Sequence, residues 1–457
     1  MNYQQTIEYL YSRLPMFSSQ GKNAIKPGLK NIIRFCKLLS DPHKQFKSVH
    51  IGGTNGKGST SHMLAAILQV AGYKTGLYTS PHLRDFRERI RINGEMISES
   101  EVIHFVETQK EAIEEIEPSF FETTVALAFD HFVKHQVEIA VIEVGLGGRL
   151  DSTNIIQPEL SVITNIGLDH VNILGDTLQQ IAVEKAGIIK PSVPVVIGER
   201  QEETADVFLK AALEAGCRIT FASQEWEVEM DSKDESQKSK GKDEGPELLA
   251  VTVFSKSSNS QINQSSELPS TSNQQISGSQ SYLLDLTGSY QLKNLATVLG
   301  SVEQLRLQGF LITDDHVCDA LQQVSSLTGL MGRWQTLSSA PLVICDTGHN
   351  VDGIKVVLEN IAATQYEHLH MVIGMVKDKD ISKIMEMLPK EATYYFCQPD
   401  IPRAKEVEAL RTEAQAAGLH GQAYPNIKLA LESAKNSAGI HDLIFVGGST
   451  FVVAEVV

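Results

Sequence analysis

The chain has 457 residues and only five cysteines, Cys36, Cys217, Cys318, Cys345 and Cys397. They are odd in number, far apart and never in a C-x-x-C pair, which excludes a disulfide framework or a cysteine zinc site and indicates buried thiols in a reducing compartment. Long apolar runs are missing too. Nowhere do 18 apolar residues follow one another, and the opening MNYQQTIEYLYSRL has no signal-type core, so the expectation is a cytoplasmic protein without a membrane partner. Positive charge is in deficit, with 40 Lys and Arg against 56 Asp and Glu, a net charge of -16. Long-range repulsion then argues against nucleic acid and anionic membranes as partners, although a local lysine or arginine can still hold a small anion. No fixed-period repeat occurs.

What the chain does contain is concentrated in Val49 to Thr60, VHIGGTNGKGST. The apolar lead-in of Val49 and Ile51 reads as the end of a buried strand, and Gly52, Gly53, Gly56 and Gly58 permit backbone angles closed to other residues. A helix follows, with Ser59, Thr60 and Ser61 as candidate caps and Met63, Leu64, Ile67, Leu68 and Ala71 as its buried face. Strand, glycine loop, helix N-terminus and Lys57 together make a phosphate cradle, the amides and helix dipole favouring the anion and the lysine adding full charge. The pattern departs from G-x-x-x-x-G-K-[ST], because Gly58 separates Lys57 from Ser59. The competing reading is a glycine-rich turn that binds nothing.

Around this loop the chain alternates strand and helix patterns. Residues 1–45 read as two helices separated by a polar loop, MFSSQGKNAIKPG. Strands are expected at 74–79, 138–144, 160–165 and 193–197, and helices at 101–116 and 123–135. Such alternation predicts a mainly parallel sheet covered by helices, with ligands at the carboxyl ends of the strands. From about 229 to 281 the composition turns to Ser, Asn, Gln and mixed charge, which predicts a flexible surface insertion, carried by a hairpin of LLAVTVF and SYLLDLTG. After a helix at 313–324, a second alternation follows, with strands at 342–345, 369–374, 394–397 and 443–446 and helices at 353–363, 381–388, 404–417 and 427–436. The expected architecture is α/β, a P-loop-type mainly parallel sheet domain at 1–329 followed by a smaller Rossmann-like α/β domain at 330–457.

Several polar residues fall at these strand ends. The Ser80 hydroxyl in YTSPHL can ligand a hard cation, and Glu143 places a carboxylate in an otherwise apolar strand. A buried ion pair and a magnesium ligand are the two readings of Glu143. His170, in NIGLDH, is a loop histidine open to solvation or ligation. Lys185, in VEKAGIIK, reads from its neighbours as a surface lysine paired with Glu184.

GTNGKGS, SPH, EVGLGGRLDSTN, NIGLDH and EKAGI resemble, in content and order, the motifs of the folylpolyglutamate and dihydrofolate synthases, the folate branch of the Mur ligase superfamily. The resemblance implies that Gly53, Thr54, Asn55, Gly56, Lys57, Gly58, Ser59 and Thr60 hold the phosphates of ATP. It implies that Ser80 and Glu143 bind one magnesium and that His170 and a carbamylated Lys185 bind a second. LTGSYQLKNLATVL resembles a segment near the nucleotide and carries Asn294, with Tyr290 where the family usually has histidine and Leu295 where it has alanine. Gly332-Arg333 resembles a linker whose arginine reaches the phosphates. In DTGHN, which resembles the motif D-x-A-H-N with Gly348 for alanine, Asp346 would contact the nucleotide and His349 the incoming glutamate. Ser449 in VGGST resembles a serine near the glutamate. Phe121, Glu122 and Thr123 in SFFETT resemble a segment beside the substrates, which core packing of the phenylalanines explains equally well.

The resemblance implies a monomeric ligase that joins L-glutamate to dihydropteroate, a reduced folate or both, with ATP and magnesium as cofactors and Lys57, Lys185 and His349 as catalytic residues. One competing reading is a Mur-type ligase of peptidoglycan precursors. Against it stand the Lys-Gly-Ser loop and the absence of a UDP-binding domain before it. Another, of a different class, is a P-loop ATPase module acting on a protein partner.

Overall fold

The computed structural model describes residues 1–14, 28–231, 248–256, 276–377 and 381–457. The first sheet is built from β1 (Lys47–Gly52), β2 (Thr75–Tyr78), β3 (Ile90–Ile92), β4 (Glu95–Met96), β5 (Ile139–Glu143), β6 (Leu160–Ile163), β7 (Val195–Ile197) and β8 (Ile219–Phe221). Its order is β4-β3-β2-β5-β1-β6-β7-β8. From β2 to β8 every neighbour is parallel, and β3 and β4 add an antiparallel edge. The central strands are short β-branched runs such as Ile139–Glu143, buried at every position, as a sheet covered on both faces requires. The helix Lys57–Val70 rises from the end of β1 and buries every residue from Ser59 to Leu68. The helix Gln291–Leu307 packs over it, so residues late in the sequence complete the first core.

The hairpin expected around the low-complexity stretch is present and larger than expected. Strands β9 (Trp226–Met230), β10 (Leu249–Lys256) and β11 (Ile276–Leu284) form an antiparallel sheet in which Val251 faces both Met230 and Tyr282. Val251, Val253, Tyr282 and Leu284 enter the same core as the Lys57–Val70 helix. The described parts of 229–281 are therefore strand, because their alternating apolar residues have a core to enter. Residues 232–247 and 257–275, where the flexible insertion was expected, and the N-terminal loop at 15–27 lie outside the described residues.

The third sheet contains β12 (Gln335–Ser339), β13 (Leu342–Cys345), β14 (Leu369–Ile373), β15 (Thr393–Cys397), β16 (Gly421–Tyr424) and β17 (Leu443–Gly447), ordered β12-β13-β17-β14-β15-β16. The helices expected at 313–324 and 404–417 are shorter, Asp314–Leu321 and Val407–Ala416, and two more differ from expectation. The one at 101–116 is broken at Gln109 into Glu99–Thr108 and Lys110–Ile116, which lets Phe105, Ile113 and Ile116 enter one core. The other starts at Phe120 rather than 123, because Ser119 and Glu122 form a reciprocal capping box.

Candidate active site

The glycine loop has the geometry of an anion cradle. Gly53 has φ +137°, and a Cβ there would lie 1.9 Å from Thr164 Oγ1. Gly56 has φ +85° and is the N-cap of the Lys57–Val70 helix, with no side chain capping it. The expected caps Ser59, Thr60 and Ser61 instead lie inside the helix, buried, so its first-turn amides are left for an anion. The loop is braced by the segment after β6. Thr54 N–H donates to the Asn165 carbonyl (2.9 Å), Asn55 N–H to Asn165 Oδ1 (3.0 Å), and Thr164 Oγ1 to the Asn55 carbonyl (2.6 Å). A Cβ on Gly58 would lie 3.2 Å from Arg333 Nη2 and 3.9 Å from Glu143 Oε1. The glycine between Lys57 and Ser59 thus leaves room for a guanidinium and a carboxylate over the helix start.

Two adjoining cavities open from this cradle. One, of about 780 Å³, is lined by the loop from Thr54 to Ser59, Glu143, Asn294, Arg333 and Asp346. The other, of about 520 Å³, is lined by Phe121, Glu122, His170, Lys185 and Ser449, with Gly53 at its wall. Thr54, Lys57, Ser80 and His349 line both. The residues expected around a nucleotide and those expected around the other substrates are thereby separated, and they meet at a lysine, a serine and a histidine. Thr60 and Thr123 reach neither cavity. Thr60 is fully buried, and the Thr123 hydroxyl donates to the Ser119 carbonyl of its own helix. The Glu122 carboxylate accepts the Ser119 N–H (2.7 Å), so it caps its helix as it faces the smaller cavity.

Glu143, at the end of β5, accepts the Ser80 N–H at 3.0 Å. Burial raises its pKa, opposed by the charge of Lys57. A buried carboxylate beside a serine at a cavity wall is a hard oxygen donor set of the kind magnesium takes, so the residues present fit that ion. Lys185 is not the expected surface lysine. It is buried, its Nζ donates to the Gly53 carbonyl (2.6 Å), and Glu184 pairs instead with Arg149 (2.7 Å). Burial, reinforced by the charge of Lys57, lowers the Lys185 pKa to about 7. Much of the amine is then neutral and nucleophilic near neutral pH.

The second unit contributes the other wall. Asp346, at the end of β13, accepts the Trp334 and Gly348 N–H groups (2.7 Å each) and the hydroxyl of Tyr290 (2.6 Å). Arg333 hydrogen-bonds Thr347 Oγ1. His349 Nδ1 lies 2.9 Å from the Thr347 carbonyl and its Nε2 3.5 Å from Asp169 Oδ2. Ser449 caps the helix Thr450–Ala454. Sequence reasoning missed Asp169, Asp151, Tyr290 and Arg403. Asp169 and Asp151 stood inside motifs already singled out, whereas Arg403, on the wall of the smaller cavity, follows no motif. Asp151 accepts the Leu146 and Thr153 N–H groups (2.8 and 3.0 Å) and so shapes the glycine turn at 145–151.

A parallel sheet with a lysine-bearing glycine loop, facing a second α/β unit across paired cavities, defines a phosphate-binding protein of the P-loop class. Residues 51–302 match the family model for the Mur ligase middle domain, and residues 332–450 that for the Mur ligase glutamate ligase domain. The chain belongs to the Mur ligase family, in its folylpolyglutamate synthase/dihydrofolate synthase branch. It is 30% identical to the dihydrofolate synthase/folylpolyglutamate synthase of Escherichia coli, over 89% of this chain and 85% of that one. It is 32% identical to a probable bifunctional folylpolyglutamate synthase/dihydropteroate synthase of Haloferax volcanii, over its whole length but only 50% of that relative. Among solved structures it resembles the bifunctional folylpolyglutamate synthase/dihydrofolate synthase of Yersinia pestis complexed with AMPPNP and a Mn ion, with a TM-score of 0.78 and 26% identity, covering 100% of this chain and 97% of that one. Among the described residues no helix is long and apolar enough to cross a membrane.

Proposed function

We propose that the chain is an ATP-dependent ligase that adds L-glutamate to dihydropteroate, to the glutamyl tail of reduced folates, or to both. The observation that carries this reading is the meeting of two cavities at Lys57, Ser80 and His349, which suits transfer between a nucleotide in one and a carboxylate in the other. A carboxylate does not condense with an amine unaided, because oxide is too poor a leaving group. Attack of the carboxylate oxygen on the γ-phosphorus of ATP, with loss of ADP, makes an acyl phosphate. The glutamate amine then attacks the acyl carbon, phosphate leaves, and the amine gives up a proton.

In this reading the 54–59 loop, Asn294, Arg333 and Asp346 hold ATP. Lys57 and Arg333 stabilise charge on the phosphoryl group as it moves. Ser80 and Glu143 would hold one magnesium, and His170 with carbamylated Lys185 a second. Bound there, the metal supplies charge neutralisation on the phosphate oxygens. His349, oriented by the Thr347 carbonyl and close to Asp169, faces the amine, and Ser449 and Arg403 border the glutamate. The two units, 1–329 and 330–457, close over the acyl phosphate and keep water from it. The enzyme acts as a monomer in the cytoplasm, in keeping with five unbonded cysteines.

The test is ADP release by purified protein with magnesium, ATP and L-glutamate, with dihydropteroate in one tube and tetrahydrofolate in another. Release with both acceptors identifies a bifunctional synthase, and release with one names the acceptor. A folded protein that binds ATP yet responds to neither overturns the folate reading in favour of a peptidoglycan-precursor ligase or a partner-driven ATPase.

A further inference from the structure

At the opposite end of the Phe120–Lys134 helix from its cavity-lining first turn, two helices bring three metal-ligating side chains together. His131 lies in the last turn of the Phe120–Lys134 helix and His135 is its C-cap. Their spacing of four residues puts both rings on one face. Glu101 comes from the first turn of the Glu99–Thr108 helix. The three ligand atoms lie within 4.8 Å of one another. His135 Nε2 is 2.5 Å and His131 Nδ1 3.4 Å from the same carboxylate oxygen, Glu101 Oε1, and the two rings are 4.4 Å apart.

An ordinary helix cap does not need this arrangement. The capping role of Glu101 is met by its other oxygen, Oε2, which accepts the Ser98 N–H (3.1 Å) and the Ser98 hydroxyl (2.6 Å). Oε1 is left to face two imidazoles. We propose that Glu101, His131 and His135 form a binding site for a zinc-class divalent cation, separate from the catalytic centre, that fastens the Glu99–Thr108 helix to the Phe120–Lys134 helix.

The donor chemistry selects the ion. Two imidazole nitrogens and one carboxylate oxygen suit Zn²⁺ and its borderline neighbours, whereas magnesium and calcium take sets made wholly of oxygen. With Zn–N and Zn–O bonds of about 2.0–2.1 Å, the edge of a zinc tetrahedron is about 3.3 Å. The His131–Glu101 separation of 3.4 Å already matches that edge. The His135–Glu101 contact must open by roughly 0.8 Å to reach it. His135 and Glu101 can make that adjustment because their side chains are 43% and 38% exposed, while the more buried His131 at 7% holds the position. The same exposure leaves the fourth position to water. Both helices feed Phe105, Phe129 and Phe132 into one core, and the N-terminal turn of the second lines the smaller cavity. A metal at its C-terminal end therefore braces the element that carries Phe121 and Glu122.

The test compares metal-free full-length wild type with His135→Ala and Glu101→Gln, both at partly exposed positions, the glutamine keeping an acceptor for the Ser98 cap. Each is titrated with ZnCl₂ against a chromophoric chelator, with millimolar Mg²⁺ present to occupy hard-cation sites. Wild type is expected to take up one more Zn²⁺ per chain than His135→Ala, and Glu101→Gln to bind that ion at least about ten-fold more weakly. With free Zn²⁺ near a hundred times the dissociation constant, the wild-type Tm rises by about 2–5 °C while that of His135→Ala does not respond to the same ion. His135→Cys, which restores a zinc ligand, recovers the extra equivalent. Equal stoichiometry and affinity in wild type and His135→Ala, or no uptake by wild type at about 100 µM free Zn²⁺, overturns the site.

Discussion

Lys185 shows how much one buried side chain can carry. A cation with its amine on the Gly53 carbonyl and Lys57 nearby is poorly placed as a cation, and its pKa falls from 10.5 to about 7. The unfolded chain keeps its proton up to the ordinary lysine pKa. Between about pH 7 and 10.5 the unfolded state therefore binds more protons than the folded one, and stability rises with pH. Below about 7 both states are protonated and the full penalty of burial applies. Relative to Lys185→Met, wild type should gain on the order of 1 kcal/mol per pH unit between pH 7 and 9, measured by urea unfolding at each pH. A neutral amine is also the nucleophile that attacks the carbon of CO₂ and, on losing a proton, becomes a carbamate, so bicarbonate should stabilise wild type but not the methionine variant, and gentle intact-mass measurement should show one added CO₂. Parallel stability profiles with no bicarbonate response would remove the basis for a carbamate. Tyr290 makes a second case. It stands where the family usually has histidine, yet its hydroxyl donates to Asp346 at 2.6 Å. Tyr290→Phe leaves Asp346 its two N–H donors and should cost about 0.5–1.5 kcal/mol, with several-fold weaker ADP binding by calorimetry. Unchanged stability and ADP affinity would mean that the hydrogen bond orients nothing.

At the scale of elements, the glycine loop separates folding from function. Gly53→Ala brings a Cβ to 1.9 Å from Thr164 Oγ1 at φ +137°, so β1 and β6 must part. That substitution should destabilise the chain by more than about 2 kcal/mol. Gly58 is different. It lies in the first helical turn, where alanine is favoured by up to about 1 kcal/mol, and its Cβ would crowd Arg333 Nη2 at 3.2 Å while touching Glu143 Oε1 only at 3.9 Å. Gly58→Ala should therefore unfold no more easily than wild type yet bind ADP more weakly, because the guanidinium is displaced from the helix start. A Gly58→Ala protein with wild-type ADP affinity would show that this spacing has no part in nucleotide binding. The loop was legible in the sequence because strand, glycines and lysine are contiguous. The central strands were legible as short β-branched runs, as in Ile139–Glu143. The edges were not. Gln335–Ser339 and Gly421–Tyr424 are half-solvated and carry no clean apolar pattern, and Glu95–Met96 is two exposed residues. Nor could local pattern separate Thr60 and Thr123 from their cavity-facing neighbours, since helix rotation alone buries them. Arg403 reaches the smaller cavity through tertiary packing that no spacing encodes.

For the whole molecule, the question is what ties the second unit to the phosphate loop, and Asn350 supplies a specific answer. Its Oδ1 caps the Val351–Ala363 helix by accepting the Gly353 N–H at 2.8 Å. Its Nδ2 crosses between the units, donating to Asn55 Oδ1 at 3.0 Å and Asp169 Oδ2 at 3.2 Å. Asn55 belongs to the phosphate loop and Asp169 to the segment that braces it, so the position of the second unit and the shape of the cradle are coupled through one amide. Asn350→Asp separates the two jobs. Aspartate caps a helix as well as asparagine does, so stability should change by less than about 1 kcal/mol. Asn55 can still donate from Nδ2, which already lies 3.4 Å from Asn350 Oδ1, but Asp169 then faces a carboxylate in place of a donor, and the like charges push the units apart. The variant should still bind ADP, several-fold more weakly than wild type, since the loop is intact while Arg333 and Asp346 move off with the second unit. It should turn over at least about ten-fold more slowly, because closing over the acyl phosphate now works against that repulsion. Small-angle scattering with nucleotide and glutamate should show a larger radius of gyration than wild type. Asn350→Asp with Asp169→Asn, which restores a donor opposite the new carboxylate, should recover most of both. If the single variant keeps wild-type turnover and dimensions, closure is held by the remaining contacts between the units, and Asn350 is only a helix cap.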